Sequence, residues 1–91
     1  MGHRIELGEI ETAMETVEEL VRVCCIYDED KNTIVAFYEG DIEKRQIVRQ
    51  IGTKLPAFMI PNVFVQLYKL PLTKNGKIDR KELKQQYVEE R

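Results

Sequence analysis

The strongest constraint on the fold is a pair of apolar runs separated by five polar residues. The runs Val21–Tyr27 and Thr33–Glu39 are rich in β-branched and aromatic residues, which favour extended strands. The residues between them, 28–32, are Asp, Glu, Asp, Lys and Asn, which are typical of turns. The sequence therefore predicts a β-hairpin, and the fold must contain a sheet.

Helical patterns flank this hairpin on both sides. Apolar residues at helical spacing predict a first helix at residues 8–20, with Glu9 and Glu11 in its first turn, where the helix dipole favours acids. Asp41 is the predicted N-cap of a second helix, whose apolar residues share one face. Pro56 disfavours helical geometry at the residue before it and is expected to end that helix.

The last third of the chain predicts one more strand and one more helix. The strand, Val63–Leu70, is apolar on both faces, which indicates burial in the sheet. Asp79 is the predicted cap of a short third helix and, with Glu82 three residues later, is expected to form a capping box, while Ile78 and Leu83 form a hydrophobic staple. The predicted fold class is α+β: a small, mainly antiparallel sheet of about three strands, packed with two longer helices and a short C-terminal helix.

Length and charge limit the number of domains and the kinds of partner that the chain can have. The 91 residues suit one domain, 1–91, without an internal boundary, and this is too little for an enzyme with its own ligand cleft. The net charge of −2 gives no argument for nucleic acid or an anionic membrane, although residues 69–84 hold six bases and two acids. Because the chain has neither an apolar run long enough to span a bilayer nor a signal peptide's apolar stretch, we expect a cytoplasmic protein.

The two cysteines, Cys24 and Cys25, are adjacent in the first predicted strand. Their side chains should therefore point to opposite faces of the sheet, as reduced packing residues. The alternatives are a vicinal disulfide or a metal site, but the sequence has no second Cys or His cluster to complete a ligand set. We predict no metal site.

Lys77 stands between two strong local signals. Asn75-Gly76 predicts a tight turn before it, and the stapled start of the third helix follows it. Each neighbour of Lys77 has a backbone or packing task, whereas Lys77 has none. Two interpretations stay open from the residues alone: a solvated surface lysine, or a lysine that a fixed backbone directs at a ligand.

Three motifs resemble those of a known family. Gly2–Glu11 resembles the motif that opens the C-terminal subdomain of amino-acid adenylation domains in nonribosomal peptide synthetases, within the adenylate-forming superfamily of acyl-CoA synthetases and luciferases. Leu55–Pro61 resembles the next motif, with Phe58 where Tyr is common, and Asn75–Arg80 resembles the last. The resemblance implies the AMP-binding enzyme C-terminal fold and a C-terminal lid subdomain whose large N-terminal domain, which binds ATP and substrate, is absent from the chain. We expect Phe58 and Met59 to pack in the core or against that domain.

The resemblance also implies a reaction. ATP and an amino acid give an acyl-adenylate, after which the lid reorients and the acyl group passes to a phosphopantetheine thiol. The implied cofactors are ATP with Mg, bound mainly by the absent domain, and phosphopantetheine on a carrier partner. The implied partners are the N-terminal adenylation core domain and a peptidyl carrier protein. The implied roles are as follows: Lys77 is catalytic; Gly2, His3, Arg4 and Gly76 face the substrate or carrier; and Asn75, Asp79 and Glu82 give structural support.

By this interpretation the chain is inactive alone. Two alternatives remain. One is a non-catalytic module that docks an acidic carrier protein through the basic residues 69–84 by electrostatic steering. The other is the lid of a related D-alanine–carrier ligase or acyl-CoA synthetase.

Overall fold

The computed structural model of the chain describes residues 5–90, so the predicted positions Gly2, His3 and Arg4 lie outside the described residues. Within them, three helices and a three-stranded sheet confirm the α+β prediction. The elements are α1 (Leu7–Glu15), β1 (Leu20–Asp28), β2 (Thr33–Gly40), α2 (Lys44–Ile51), β3 (Val63–Gln66) and α3 (Arg80–Glu90), with a 3₁₀ turn at Ala57–Met59. Within residues 5–90, no helix combines the length and apolar character that a membrane crossing requires.

The sheet has the order β1-β2-β3. The predicted hairpin is confirmed, because β1 and β2 pair antiparallel from Leu20–Gly40 to Asp28–Thr33. The Asp28 carboxylate stabilises the connecting turn by accepting the backbone N–H groups of Asp30 at 3.1 Å and Lys31 at 3.2 Å. β3 joins the other side of β2 in the parallel direction after the chain has crossed over through α2, so the shorter strand pair makes the sheet mixed.

The sheet separates two apolar clusters. One face carries Cys25 and packs against α1 and α2, and we call this the α1–α2 layer. The opposite face carries Cys24 and packs against Leu83 of α3, and we call this the α3 layer. The prediction that the two cysteines point to opposite faces is thus confirmed, and both are buried free thiols. Burial raises the pKa of each thiol.

The first helix ends earlier than predicted. The apolar spacing extends it to residue 20, whereas α1 ends at Glu15. The Thr16 hydroxyl donates to the Ala13 carbonyl at 2.6 Å, and the backbone N–H of Val17 donates to Met14 three residues back at 2.9 Å. These bonds end the α-helical ladder. Val17 is still buried, so the apolar spacing continued through a tight turn.

The second helix also has different ends. The predicted cap was Asp41, but α2 begins after Glu43. Glu43 and Gln46 form a reciprocal capping box, which satisfies two N-terminal backbone donors, whereas a single Asp cap satisfies one. At the other end, α2 stops at Ile51, several residues before Pro56, and its C-cap Gly52 donates its N–H to the Val48 carbonyl at 2.8 Å.

The last strand and the last helix differ from prediction in length. β3 ends at Gln66 instead of residue 70 and is half-buried, not buried on both faces. β3 is an edge strand of the sheet described here, so only one of its sides pairs with another strand. The predicted short C-terminal helix is the longest of the three, with 11 residues against nine in α1 and eight in α2. Leu83 and Tyr87 of α3 pack on the sheet, and the Tyr87 ring meets the Phe37 ring edge-on at 6.2 Å between centroids. This packing extends the helix.

One ion pair connects the first and last helices through the edge strand β1. The Arg80 guanidinium lies 3.0 Å from the Glu11 carboxylate. That carboxylate also accepts the backbone N–H of Cys25 at 2.8 Å, and Arg80 donates to the carbonyl of the same residue. The pKa of Arg80 is raised, chiefly by its hydrogen bond to Glu11. The pair therefore satisfies both backbone groups of Cys25 at the open edge of β1.

Removing Glu11 should destabilise the chain. In Glu11→Ala, Arg80 loses its anion and the Cys25 N–H loses its acceptor, so we expect the free energy of unfolding to fall by about 1–3 kcal/mol. Glu11→Gln keeps a neutral acceptor and should cost less. The measurement is urea unfolding followed by circular dichroism. The matched control is Glu18→Ala, an exposed acid beyond the helix, which should change stability by less than about 0.5 kcal/mol. Equal effects at Glu11 and Glu18 would contradict the assigned role.

The buried thiols should react slowly in the folded chain. Since the raised pKa lowers the thiolate fraction and burial blocks access, we expect alkylation by iodoacetamide at pH 8 to be more than about tenfold slower than in urea. Mass spectrometry of the alkylated chain gives both rates. Equal rates in buffer and in urea would show that the thiols are accessible.

Candidate functional site

Lys77 ends a tight turn, residues 73–77, which we call the lysine turn. The Thr73 carbonyl accepts the N–H of Gly76 at 2.9 Å, and the Thr73 N–H donates to the Lys77 carbonyl at 2.7 Å. Gly76 has φ +82°, in the left-handed region that favours glycine. A Cβ built there meets no heavy atom within 4 Å, so glycine is needed for the backbone conformation and not for space.

Backbone contacts anchor the lysine turn on both sides. Leu72 and Ile78 form an antiparallel bridge directly outside it. One residue further out, the N–H of Asp79 donates to the carbonyl of Pro71 at 2.8 Å. Ile78 packs in the α3 layer, so the residue after Lys77 is held by apolar contacts as well.

The chain that enters the turn is fixed to the sheet by a buried carboxylate. Glu39 of β2 has only 6% of its surface exposed, and it accepts the N–H of Leu70 at 2.6 Å. Its other oxygen pairs with Arg22 of β1 at 3.2 Å, which compensates the buried charge. Leu70 itself is buried in the α3 layer.

The chain that leaves the turn begins α3. The Asp79 carboxylate accepts the N–H of Glu82 at 3.0 Å, which is the N-cap bond that the sequence predicts. The reciprocal half of the capping box does not form, because the Asp79 N–H is already bonded to Pro71. The Glu82 carboxylate instead accepts from the Gln86 side chain at 3.3 Å. With Leu83 buried, the helix start is fixed against the sheet.

The Lys77 side chain is exposed, and within residues 5–90 it has no ion-pair or hydrogen-bond partner. An ammonium group offers three donors, which suit carboxylate and phosphate oxygens. A charged donor on a backbone held at both ends is thus available for an anionic ligand. Residues 5–90 contain no group of three or more His, Cys, Asp or Glu side chains that could hold a metal ion.

The structure brings some of the predicted site residues together and separates others. Asn75, Gly76, Asp79 and Glu82 all lie in or directly after the lysine turn. In the second motif, Met59 is buried in the α1–α2 layer, whereas Phe58 is 40% exposed. The first two motifs meet at a groove between α1 and the loop after α2, lined by Gly8, Glu9, Thr12, Ala13, Thr16, Lys54, Leu55 and Pro56.

Sequence reasoning missed the residues that fix the turn in space. Glu11 and Arg80 are 69 residues apart, and no local pattern pairs them. Glu39 looks like an ordinary strand residue until Leu70 is placed beside it. Thr73 carried a usable signal, since it is a hydroxyl residue four positions before a lysine, at the start of an Asn-Gly turn.

Comparison with known proteins places these features in a family. The sequence model for the AMP-binding enzyme C-terminal domain matches residues 9–77. The chain is 47% identical over 87 residues to one of the subunits of mycosubtilin synthase from Bacillus subtilis. That match covers 90% of this chain and 3% of the relative, so the chain spans only a small part of the protein it resembles.

Solved structures share the fold. NpsA of Klebsiella oxytoca, in complex with 3-hydroxyanthranilyl-AMSN, matches with a TM-score of 0.88 and 29% identity over 96% of this chain and 18% of NpsA. Holo-AB3403, a four-domain nonribosomal peptide synthetase bound to AMP and glycine, matches with a TM-score of 0.73 and 32% identity over 88% of this chain and 6% of that protein. The resemblance carried by the three motifs is confirmed, and the chain belongs to the AMP-binding enzyme C-terminal domain family.

Proposed function

We propose that this chain is the lid subdomain of an amino-acid adenylating ligase and that Lys77 acts in forming the acyl-adenylate. The observation that carries the proposal is the exposed ammonium of Lys77, which has no partner within residues 5–90 and stands on an anchored turn in a chain of this family. The relatives that match are many times longer, so the large adenylation core that would complete the site lies outside these 91 residues.

The proposed chemistry needs a fixed positive charge. A carboxylate oxygen of the amino acid attacks the α-phosphorus of ATP, a new C–O–P linkage forms, and pyrophosphate leaves. Negative charge develops on the phosphate oxygens during this step. Lys77 donates hydrogen bonds to these oxygens. The attraction between its ammonium and the oxygens is stronger when the lid and the core exclude water. The anchored turn fixes the Lys77 backbone before substrate binds, so only the side-chain torsions remain to be ordered in each catalytic cycle.

The cofactors of this reaction divide between the two domains. In this proposal Lys77 offers phosphate one ammonium, and residues 5–90 offer Mg no cluster of ligands, so the core would bind most of the ATP together with Mg. Phosphopantetheine would arrive on a peptidyl carrier protein after the lid has reoriented. The first motif, Gly2–Glu11, would then face the thiol, and Gly76 would stay beside Lys77. The isolated chain would have no activity.

A basic surface favours a second candidate, a carrier-docking module without a catalytic lysine. Lys69, Lys74, Lys81 and Lys84 are all exposed, and none forms an ion pair within residues 5–90. Unpaired lysines on one segment attract an acidic partner at long range and speed its association. In this candidate the lysines share one steering role, and Lys77 has no special place among them.

Replacing Lys77 separates the two candidates. In the glycine-bound four-domain synthetase, the segment that matches this chain is replaced by this chain. Glycine-dependent ATP–pyrophosphate exchange by the resulting chimera is then measured. We expect Lys77→Ala to slow exchange by about 10²–10³-fold, the usual loss for one donor that acts in the transition state. Lys74→Ala, in the same turn, should change it by less than about twofold.

The unsubstituted chimera and the core without a lid give the upper and lower reference rates. If Lys77→Ala exchanges pyrophosphate at the upper rate, Lys77 has no part in adenylation and the proposal fails. If both lysine variants slow only the transfer of glycine to the carrier thiol, and do so equally at low salt, the docking candidate is correct.

A further inference from the structure

We infer that Thr73 is a positioning residue for Lys77: its hydroxyl and its backbone N–H together hold both backbone polar groups of the lysine. The inference rests on the proposed function, because it concerns where the Lys77 ammonium is directed during adenylation.

One hydrogen bond within the lysine turn uses a side-chain acceptor in place of a backbone acceptor. In a simple hairpin, Thr73 and Lys77 would exchange two backbone hydrogen bonds. The Thr73 N–H does donate to the Lys77 carbonyl at 2.7 Å, but the Thr73 carbonyl is engaged by the N–H of Gly76 at 2.9 Å. The Lys77 N–H instead donates to the Thr73 hydroxyl oxygen at 3.3 Å. The hydroxyl thus replaces a backbone acceptor that the left-handed turn has diverted.

This replacement matters because it acts at the root of a long side chain. The ammonium is the far end of the Lys77 side chain, so a small rotation of the Lys77 backbone displaces it by a larger distance. The Lys77 side chain has no other support within the described residues. The backbone therefore fixes only the point and direction in which the side chain starts, the Cα–Cβ bond, and Thr73 is the residue that bonds that backbone on both sides. Misplacement of a catalytic group lowers the rate of the chemical step more than it weakens substrate binding.

The role can be separated from folding stability. Thr73 is exposed and does not belong to either apolar cluster, so its side chain is not needed for the core. Thr73→Val keeps the branched shape and removes the hydroxyl, and with it the acceptor for the Lys77 N–H. Thr73→Ser keeps the acceptor and removes a methyl group. Thr53→Val is a matched control, because Thr53 is also exposed and its hydroxyl bonds only a nearby carbonyl, that of Gln50.

The first experiment measures glycine-dependent pyrophosphate exchange in the chimera described above, with and without Lys77→Ala. We expect Thr73→Val to lower kcat by about three- to tenfold, the effect of one hydrogen bond. KM for glycine should change by less than about twofold, Thr73→Ser should restore kcat, and Thr53→Val should have no effect. In the Lys77→Ala background Thr73→Val should cause no further loss, because the group that it positions is gone.

The second experiment uses the 91-residue chain itself. Amide hydrogen exchange at Lys77, followed by NMR, should be about three- to tenfold faster in Thr73→Val than in the unsubstituted chain or in Thr73→Ser. Unchanged exchange at Lys77 would overturn the inference, since the hydroxyl would then not hold that backbone.

The two proposals fail in different ways. If Lys77→Ala has full activity, the proposed function fails and the inference fails with it. If Lys77→Ala is slow but Thr73→Val is as active as the unsubstituted chimera, only the inference fails. Equal losses from Thr73→Val in the presence and absence of the Lys77 side chain would also overturn it, because the effect would then be independent of the lysine.

Discussion

The fold depends on how the open edge of β1 is closed. The N–H and C=O of Cys25 point away from β2, and an unpaired strand edge is prone to pair with other chains. Glu11 accepts the N–H, Arg80 donates to the C=O, and the two side chains pair with each other. Because Glu11 belongs to α1 and Arg80 to α3, the same contacts that close the edge also join the first and last helices. The start of α3 is therefore set by the sheet.

The lysine turn derives its rigidity from this arrangement at one end and from Glu39 at the other. Arg80 fixes the chain just after the turn, and the bond from Leu70 to the Glu39 carboxylate fixes it just before. Between these points the turn closes on itself through Thr73 and Gly76. The result is a loop whose backbone is held and whose lysine is exposed. In a surface loop with no such anchors, the backbone of the lysine would sample many positions.

Short sequence patterns predicted much of this structure. They could not predict contacts between residues that are far apart in the chain. The hairpin, the opposite faces of Cys24 and Cys25, and the bond from Asp79 to the start of α3 follow from neighbouring residues. The end of α1 was missed because apolar spacing persists through the turn that carries Val17. The parallel pairing of β3, the length of α3 and the contacts of Glu11 with Arg80 depend on packing that no short segment encodes. The residues numbered 2–4 lie outside the described part of the chain.

The division of the core by the sheet sorts the three motifs. The described part of the first motif, residues 5–11, and the second motif pack in the α1–α2 layer and share a groove, whereas the last motif contributes Ile78 to the α3 layer. The sheet lies between the two layers, and the Glu11–Arg80 ion pair connects α1 on one side with α3 on the other. The segment that carries Lys77 and the groove between α1 and the loop after α2 thus contact opposite faces of one sheet, with the Glu11–Arg80 ion pair crossing its edge.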